Sequence, residues 1–257
     1  MLRRQMPGHD LHHAFVTGAS AGIGDALAHV LARAGIHVVL AARRQAELQR
    51  VAASITAAGG RATTVAVDVG DPAAITAAVQ QADRELGGLD LVVANAGVAI
   101  QRHSAKLTWA DCGTMLDVNV VGATATLVAA IPGMIERGRG TLVGVSSIAA
   151  WRGLPKLAVY SASKAYLSAF LDALRVDLGP AGIGVTEVRP GYVRTAMNEG
   201  AGKLPFELQP EQAAQEIFDA IVARKALHAF PLPIAVAMRS MSALPRSVWE
   251  PLARKFV

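Results

Sequence analysis

Tyr160 and Lys164 are the residues of this sequence whose types and spacing point most directly to chemistry. They are four positions apart, so a helix would place both side chains on one face, one turn apart. A tyrosine hydroxyl has a pKa of about 10, and an ammonium group beside it favours the phenolate and lowers that pKa. Bringing the pKa to about 7 requires about 4 kcal/mol, which a neighbouring cation in a partly desolvated site and the positive charge of a cofactor could supply. Such a tyrosine can protonate a carbonyl oxygen or deprotonate an alcohol.

Ser147 is the third candidate for the same site. It lies at the end of the apolar run Leu142-Val143-Gly144-Val145 and precedes Tyr160 by thirteen residues. A strand over that run would bring the serine hydroxyl beside Tyr160, where it could hold the substrate oxygen. Tyrosine and lysine at this spacing are also common on solvated helix faces, so the rest of the chain decides what the pair means.

Length and composition favour one α/β domain over residues 1–257. The chain has 52% hydrophobic residues and 24 glycines, which suits helices packed tightly on a sheet, and it is long enough to bury a sizeable core. Its single cysteine, Cys112, excludes an intrachain disulfide framework and is typical of a reducing compartment, so we expect a cytoplasmic protein. Residues 1–13 lack the apolar segment of a signal peptide.

The net charge of +5 suits a polyanionic ligand such as a dinucleotide, although arginine-rich and alanine-rich proteins are often basic without a special partner. No basic cluster is interleaved with aromatic residues, which argues against nucleic-acid binding. His9, His12 and His13 have a spacing that could ligate a metal, but a polar lead-in to the first strand explains them better. We therefore expect no metal site.

The segment 115–135 is almost wholly apolar and could be mistaken for a membrane span. Asp117, Asn119 and Pro132 each argue against a spanning helix. A buried helix of a soluble protein is the favoured interpretation.

A glycine-rich turn follows the first predicted strand, Ala14-Phe15-Val16-Thr17, and leads into an alanine-rich helix that extends to about Ala34. A strand, a glycine turn and a helix N-terminus form an anion site, because free N–H groups and the helix dipole face the phosphates. The strand–turn–helix context supports a dinucleotide motif. The candidate cofactor-binding residues of this turn are Gly18, Ser20, Ala21, Gly22, Ile23 and Gly24.

The end of the second strand predicts the choice of cofactor. Enzymes that prefer NAD place an acidic residue there to bind the ribose 2′-hydroxyl. This chain instead has Arg43 and Arg44, and two guanidinium groups without a carboxylate favour a 2′-phosphate. The alternative is that both arginines are the solvated start of the next helix, and Arg43 is the stronger candidate of the two.

The next two strand ends supply further candidates. Strand 62–67 leads to Asp68-Val69, which would lie under the adenine, with Asp68 accepting from its exocyclic amine. Strand 90–94 leads to Asn95-Ala96-Gly97, whose small residues let the chain pass close to the cofactor, while Asn95 can pin the neighbouring strands. Asn119 lies in an apolar helix and must satisfy its amide. It could bend the helix and relay a water to Lys164, or bond locally to the backbone.

The C-terminal third continues the pattern. Strand 184–189 ends in Pro190-Gly191 at the carboxyl edge of the sheet, where ligands bind in open α/β folds. Residues 192–209 mix glycine, proline and apolar residues, as a mobile substrate lid would. Within them Val193 is a further cofactor candidate, and Thr195 could reach the nicotinamide amide or the pyrophosphate.

The tail, residues 234–257, has apolar residues on a broken amphipathic pattern. Four cationic side chains stand there against one acid, Glu250. We expect the tail to pack over the substrate pocket or a partner subunit. Peripheral contact with a membrane is the less favoured alternative.

Strands alternate with helices throughout, which predicts one parallel sheet covered on both faces. With these motifs in order, the chain resembles the short-chain dehydrogenase/reductase family over nearly its whole length. The motifs that carry the resemblance are Thr17-Gly18-Ala19-Ser20-Ala21-Gly22-Ile23-Gly24, Asn95-Ala96-Gly97, Asn119, Ser147, Tyr160-Ser161-Ala162-Ser163-Lys164 and Pro190-Gly191.

The resemblance implies a Rossmann-type doubly wound sheet of about seven strands and an Asn-Ser-Tyr-Lys tetrad at Asn119, Ser147, Tyr160 and Lys164. It also implies that Lys164 holds the nicotinamide ribose, and that Arg43 marks the NADP-preferring subgroup. Members usually pair through their two long helices into homodimers or homotetramers. The segment after Ala229 departs from the shorter members.

These observations predict an NADP(H)-dependent oxidoreductase in which Tyr160 exchanges a proton, Ser147 orients the oxygen and Asn119 sustains the relay. The substrate is expected to be a hydrophobic ketone, aldehyde or secondary alcohol. One alternative is a non-catalytic sensor or scaffold, which the complete tetrad opposes. Another is a sugar-nucleotide epimerase or dehydratase, which the glycine spacing, Arg43 and the short C-terminal part oppose. The expected pocket residues are Ile148, Ala149, Trp151, Leu154, Tyr192, Val193 and Met197.

Overall fold

Residues 10–198, 202 and 204–256 are described by the structure, a computed structural model. Its sheet is built from short strands that are mostly apolar. They are β1 (His13–Thr17), β2 (His37–Ala42), β3 (Arg61–Ala66), β4 (Leu91–Ala94), β5 (Gly140–Val145), β6 (Ile183–Pro190) and β7 (Leu227–Phe230).

Helices connect these strands and continue beyond the last one. They are α1 (Gly22–Arg33), α2 (Gln45–Ala57), α3 (Pro72–Glu85), α4 (Trp109–Leu116), α5 (Ala123–Arg137), α6 (Ala158–Leu178), α7 (Pro210–Val222), α8 (Leu232–Ser242) and α9 (Arg246–Ala253). A π-helical segment, Asp117–Gly122, joins α4 to α5 without a break.

The seven strands form one parallel sheet in the order β3-β2-β1-β4-β5-β6-β7. This confirms the predicted doubly wound, Rossmann-type sheet. The strand order reverses between β1 and β4, and such a switch point opens a crevice at the carboxyl ends of the strands. Predicted strand boundaries differ from the observed ones by one or two residues, as element ends commonly do.

Helices cover both faces of the sheet, because successive side chains of each strand point to opposite sides. In β1, Ala14 and Val16 belong to the core under α1, α2 and α7, whereas Phe15 belongs to the core under α3, α5 and α6. Burial on both faces explains why the inner strands are continuously apolar.

The apolar segment noted in the sequence lies within one long helical run, Trp109–Arg137. By length and composition alone, this helix could cross a membrane, and 44% of its most apolar window is buried inside the protein. One side packs on the sheet, and Arg137 near its end forms a two-pronged ion pair with Asp83 of α3. The expected buried helix is therefore half-buried, with an exposed apolar side.

The predicted lid has its two ends side by side. Val193 and Leu208 form an isolated parallel bridge, and Arg194 pairs with Glu207 across it. Residues 199–201 and 203 of the predicted lid lie outside the described residues, as do His9 and the last residue of the tail.

Gly24→Ala should destabilise the protein. The new Cβ would overlap the Gly18 carbonyl oxygen and lie 2.6 Å from the Asn95 amide nitrogen. Overpacking of this kind costs about 2 kcal/mol, which for a chain of this size lowers the Tm by roughly 4–8 °C. Thermal unfolding followed by circular dichroism measures the change.

Gly113→Ala is the matched control. A Cβ at Gly113 meets nothing within 4 Å, and alanine favours the helix by about 1 kcal/mol, so the Tm should stay or rise. Equal Tm values for the two variants would contradict the packing role of Gly24.

Candidate active site

A cleft of about 550 Å³ runs along the carboxyl ends of the strands. One end lies over the glycine turn between β1 and α1, and the other lies among apolar side chains that follow β5 and β6. This is the switch-point crevice, the place where open α/β sheets bind ligands.

The glycine turn is shaped to bring backbone close to a ligand. Gly18 and Gly22 have φ angles of +67° and +58°, which side chains other than glycine rarely adopt. A Cβ on Gly18 would lie 2.9 Å from the Ala96 Cα, and one on Gly22 would lie 3.0 Å from the Thr195 methyl group. The turn is therefore a tight cradle at the start of α1, where the helix dipole favours an anion.

Thr17 and Asn95 join β1 to β4 beneath this cradle. The Thr17 hydroxyl accepts the backbone N–H groups of Asn95 and Ala96 at 3.0 and 3.1 Å. The Asn95 amide in turn donates to the Thr17 carbonyl at 2.8 Å. Asn95 thus pins the neighbouring strands, as the sequence predicts.

Two arginines border the cradle at the end of β2. Arg44 donates to the Ser20 hydroxyl of the glycine turn at 3.1 Å. Arg43 is 68% exposed, with its guanidinium 3.9 Å from the Asp68 carboxylate. Both arginines line the cleft, and Arg44, the weaker candidate by sequence, has the more direct contact with the turn.

Ser147, Tyr160 and Lys164 line the middle of the cleft. Ser147 follows β5, and its hydroxyl accepts the Ala149 N–H at 3.1 Å. Tyr160 lies in the first turn of α6, and Lys164 lies one turn later on the same face, with Nζ 5.8 Å from the centre of the tyrosine ring. The Lys164 ammonium donates to the Val145 carbonyl at 2.9 Å.

Burial sets the protonation behaviour of this group. Burial raises the pKa of Tyr160 above its usual value, and a hydrogen bond with Ser147 acts in the opposite direction. Burial also lowers the pKa of Lys164 from 10.5 to about 8. The sequence predicts a lowered pKa for Tyr160 with the help of a cofactor's positive charge; in the protein alone the pKa is raised, because burial outweighs the hydrogen bond with Ser147.

Asn119 lies in the π-helical segment and is buried. Its amide exchanges two hydrogen bonds with the Val98 backbone, at 2.8 and 2.9 Å, and donates to the Ser163 hydroxyl at 3.0 Å. Ser163 in turn donates to the Tyr160 carbonyl at 2.8 Å. The amide is satisfied by the chain after β4 and by α6, and π-helical segments often occur at functional sites.

The polar ends of the Asn119 and Lys164 side chains both lie beside Gly97. A Cβ placed on Gly97 would lie 3.3 Å from Lys164 Nζ and 3.4 Å from Asn119 Oδ1. The glycine therefore leaves room for both polar groups beside the backbone.

A buried polar network supports α6 from below. The Ser146 hydroxyl donates to the Lys164 carbonyl at 3.0 Å, and the Ser168 hydroxyl lies 2.9 Å from the same carbonyl oxygen. Ser168 also contacts the Glu187 carboxylate of β6, which accepts two hydrogen bonds from Arg189. Glu187 is 1% exposed, so its charge is balanced by this neighbouring guanidinium.

Most of the predicted residues share this one cleft. Those that line it are Gly18, Ser20, Ala21, Gly22, Ile23, Arg43, Arg44, Asp68, Val69, Asn95, Ala96, Gly97, Ser147, Tyr160, Lys164, Pro190, Gly191, Val193 and Thr195. The expected pocket residues Ile148, Ala149, Leu154, Tyr192 and Met197 line it too.

Three predicted residues do not line the cleft. Asn119 lies behind it, as described above. Gly24 lies under the glycine turn, where its lack of a side chain allows α1 to pack on Gly18. Trp151 points away from the pocket and stacks on Arg189, with the guanidinium carbon 4.9 Å from the ring centre.

Sequence reasoning missed several lining residues. They include Val98, Ala99, Gln101, Val118, Leu157, Ala196 and Met238. Val98 to Gln101 directly follow the Asn95-Ala96-Gly97 motif, so continuing that loop would have found them. Met238 belongs to the tail, which the sequence predicts to pack over the substrate pocket or a partner subunit, but the broken amphipathic pattern does not single this residue out.

No group of three or more His, Cys, Asp or Glu side chains comes together as a metal site would require, within residues 10–198, 202 and 204–256. His13 belongs to β1, where its Nδ1 bonds the Gly88 carbonyl at 2.9 Å. Its backbone N–H and that of His12 both donate to Asp90.

Comparison with known proteins identifies the family. A family model described as short chain dehydrogenase matches residues 12–204. An uncharacterized oxidoreductase of Myxococcus xanthus is 43% identical over 243 residues, which cover 94% of this chain and 96% of that protein. The chain therefore belongs to the short-chain dehydrogenase/reductase family of oxidoreductases.

Solved structures of the family have the same fold. A short-chain dehydrogenase from Sphingobium yanoikuyae, in complex with NADPH, has a TM-score of 0.80 at 26% identity, covering 92% of this chain and 98% of its own. A family member from Burkholderia phymatum, in complex with NAD, has a TM-score of 0.83 at 25% identity, covering 91% and 94%. Similar proteins thus include both NADPH-bound and NAD-bound examples.

Lys164→Met should change how stability depends on pH. A folded pKa of about 8 against 10.5 means that holding the ammonium in this site costs about 3 kcal/mol. Below about pH 8 the folded protein holds the charged form, so its stability is reduced by this full amount. Between about pH 8 and 10.5 the unfolded chain binds more protons than the folded one, so the stability of the wild type rises there relative to the variant.

Urea unfolding of both proteins at about pH 7 and pH 10 measures this difference. We expect the stability of Lys164→Met relative to the wild type to be about 1–3 kcal/mol greater at pH 7 than at pH 10. A difference in unfolding free energy that stays constant with pH would contradict the conclusion that Lys164 is buried in its charged form.

Proposed function

We propose that the protein is an NADP(H)-dependent oxidoreductase that interconverts a carbonyl compound and its secondary alcohol. The observation that carries this proposal is the convergence of Ser147, Tyr160 and Lys164 on the same cleft as the glycine cradle. When bound, the cofactor supplies or accepts the hydride. The turn of Gly18 and Gly22 would hold its phosphates at the start of α1, where the helix dipole favours an anion.

Tyr160 is the proposed proton donor and acceptor. Because burial raises its pKa, it is protonated at neutral pH and suited to donate to the oxygen of a carbonyl group. Ser147 hydrogen-bonds the same hydroxyl and would orient that oxygen. Lys164, with a pKa of about 8, is largely charged at neutral pH and would stabilise the phenolate that remains.

Asn119 is proposed to act through other groups. It ties the Val98 backbone to Ser163 and thereby fixes the turn of α6 that carries Tyr160. Its Oδ1 and Lys164 Nζ flank Gly97, which supports a proton relay along this side of the cleft.

The substrate is proposed to be hydrophobic around its reacting carbon. Beyond the catalytic candidates, the substrate end of the cleft is lined mainly by apolar side chains. They are Val98, Ala99, Ile148, Ala149, Leu154, Leu157, Met197 and Met238.

Tyr160→Phe tests the reaction. NADPH consumption over a panel of hydrophobic and polar carbonyl compounds should occur with the wild type and fall by about 100-fold to 10,000-fold in the variant, because the proton donor is removed. Binding of NADPH, followed by fluorescence, should be retained. A wild type that binds NADPH but turns over no compound would favour a sensor, and unchanged turnover in the variant would contradict the role of Tyr160.

The preference for NADP(H) is proposed from Arg43 and Arg44. Both guanidinium groups border the cradle at the end of β2, where no carboxylate follows the strand directly. Such groups can bind a 2′-phosphate through charge-assisted hydrogen bonds. Asp68, which follows β3, lies 3.9 Å from the Arg43 guanidinium.

Arg43→Asp should weaken NADPH binding by about 10-fold to 100-fold, the loss expected for hydrogen bonds to a charged group. NADH binding should change by less than about 3-fold. Arg84→Asp makes the same change of charge at an exposed position of α3. This variant is the control and should leave both affinities unchanged. Equal losses for NADPH and NADH at Arg43→Asp would contradict the assignment.

We also propose that two copies of the chain pair through what we call the long-helix face. It consists of Val121, Val128, Ile135 and Tyr166, which are 38–49% exposed. The first three recur every seven residues and so follow one side of the helix. Tyr166 of α6 joins them through a hydroxyl contact of 3.2 Å with Thr124. Apolar patches of this kind commonly mark interfaces.

Val128→Lys should reduce the mass measured by light scattering to that of a monomer, because a charge would be buried without a partner. Val236→Lys, at a 54% exposed position on α8, is the control and should keep the wild-type mass. A variant at Val128 that remains oligomeric would exclude this face.

A further inference from the structure

Arg152, in the segment that follows Ser147, forms several contacts with the tail. Its Nη1 donates to the carbonyls of Met241, Ser242 and Leu244, at 3.3, 3.0 and 2.6 Å. Its guanidinium carbon also lies 5.0 Å from the ring centre of Trp249. One cation therefore contacts the end of α8, the turn after it and α9.

This contact suits the chemistry of both partners. The last carbonyls of a helix have no partner inside the helix and form the negative end of its dipole, so a cation is stabilising there. A guanidinium over an indole ring adds a cation–π interaction. Within the described part of the chain, Arg152 makes no ion pair with a carboxylate, so its polar contacts go to the tail.

Trp151, the residue before Arg152, is anchored to the sheet. Trp151 stacks on Arg189, which is itself 8% exposed and bonded to Glu187 of β6. The Trp151-Arg152 pair therefore links the core of the sheet to the tail. Trp151 lies only four residues after Ser147 in the sequence.

The tail in turn reaches the cleft. Met238 of α8 is 6% exposed and lines the cleft. A Cβ on Gly191 would lie 2.9 Å from the Ile234 side chain, so α8 packs directly against the chain after β6. Met238 thereby joins Ile148, Ala149 and Leu154 at the apolar end.

We propose that Arg152 is a positioning residue that holds the tail so that α8 forms the wall of the substrate end of the cleft, and that Met238 is the specificity-determining side chain of that wall. This inference rests on the proposed carbonyl reduction. The substrate class is a carbonyl compound with an apolar group on the side of the carbonyl that faces α8. A methionine suits this position, since its flexible side chain adapts to apolar groups of different shapes.

The test compares Arg152→Ala, Arg152→Lys and Met238→Ala with Arg246→Ala, an exposed arginine of α9 that serves as control. In Arg152→Ala we expect the KM of the best carbonyl substrate to rise at least 10-fold, with the Kd of NADPH unchanged within 2-fold. Arg152→Lys should recover part of this loss, because an ammonium can still bond a helix end. Arg246→Ala should match the wild type.

Met238→Ala tests the specificity. The ratio of kcat/KM for a bulkier ketone to that for the best wild-type substrate should rise about 10-fold or more, the discrimination expected for one or two carbon atoms in an apolar pocket. An unchanged ratio would overturn the role of Met238.

Amide hydrogen exchange of the tail separates this inference from the proposed function, because it needs no turnover. In Arg152→Ala, exchange in residues 232–253 should accelerate at least 10-fold, while exchange in β1 and β4 stays at the wild-type rate. Wild-type exchange in the tail, or a KM and NADPH Kd that change together, would overturn the role of Arg152. Failure of the wild type to reduce any carbonyl would instead overturn the proposed function.

Discussion

The burial of the Lys164 ammonium is the constraint on which the rest of the site depends. A charged amine in an enclosed position is costly, and burial accordingly lowers its pKa to about 8. The charge is retained because Nζ donates to the Val145 carbonyl at the end of β5 and because the cleft is open beside it. A carbonyl at the end of a parallel strand is free for such a bond, so the fold itself supplies the anchor. A protein retains such an unfavourable buried charge where its function uses a cation.

The neighbouring polar groups hold this lysine in place. Below α6, the Ser146 and Ser168 hydroxyls bond the Lys164 carbonyl and connect it to the buried Glu187. Beside α6, Asn119 bonds Ser163 and so reaches the turn of Tyr160. The helix is thus fixed by β5, β6 and the π-helical segment together. A site held from several elements is well suited to fixing a proton donor within hydrogen-bond reach of a substrate.

Much of the fold and of the cofactor cradle could be predicted, because the short apolar strands and the glycine turn are local patterns, and the resemblance to the family supplied the number of strands. The predictions that were wrong or incomplete depend on contacts between residues that are far apart in the sequence. Trp151 looked like a pocket residue, but the buried Arg189 attracts its ring, and no local signal reveals that partner. Met238 reaches the cleft because α8 folds back against Gly191 after β6, a contact between distant parts of the chain. The pKa of Tyr160 was expected to fall with the help of a cofactor's charge, whereas burial raises it in the protein alone, and a sequence does not show that burial.

We propose that Lys164 controls the ionisation of Tyr160 once a cationic cofactor adds its charge. An ultraviolet difference titration measures it directly, with Tyr160→Phe subtracted to remove the other two of the three tyrosines. We expect NADP⁺ to lower the pKa of Tyr160 clearly below its value in the protein alone, and Lys164→Met to abolish at least half of that shift. The same titration curve for wild type and Lys164→Met in saturating NADP⁺ would show that Lys164 does not control this ionisation.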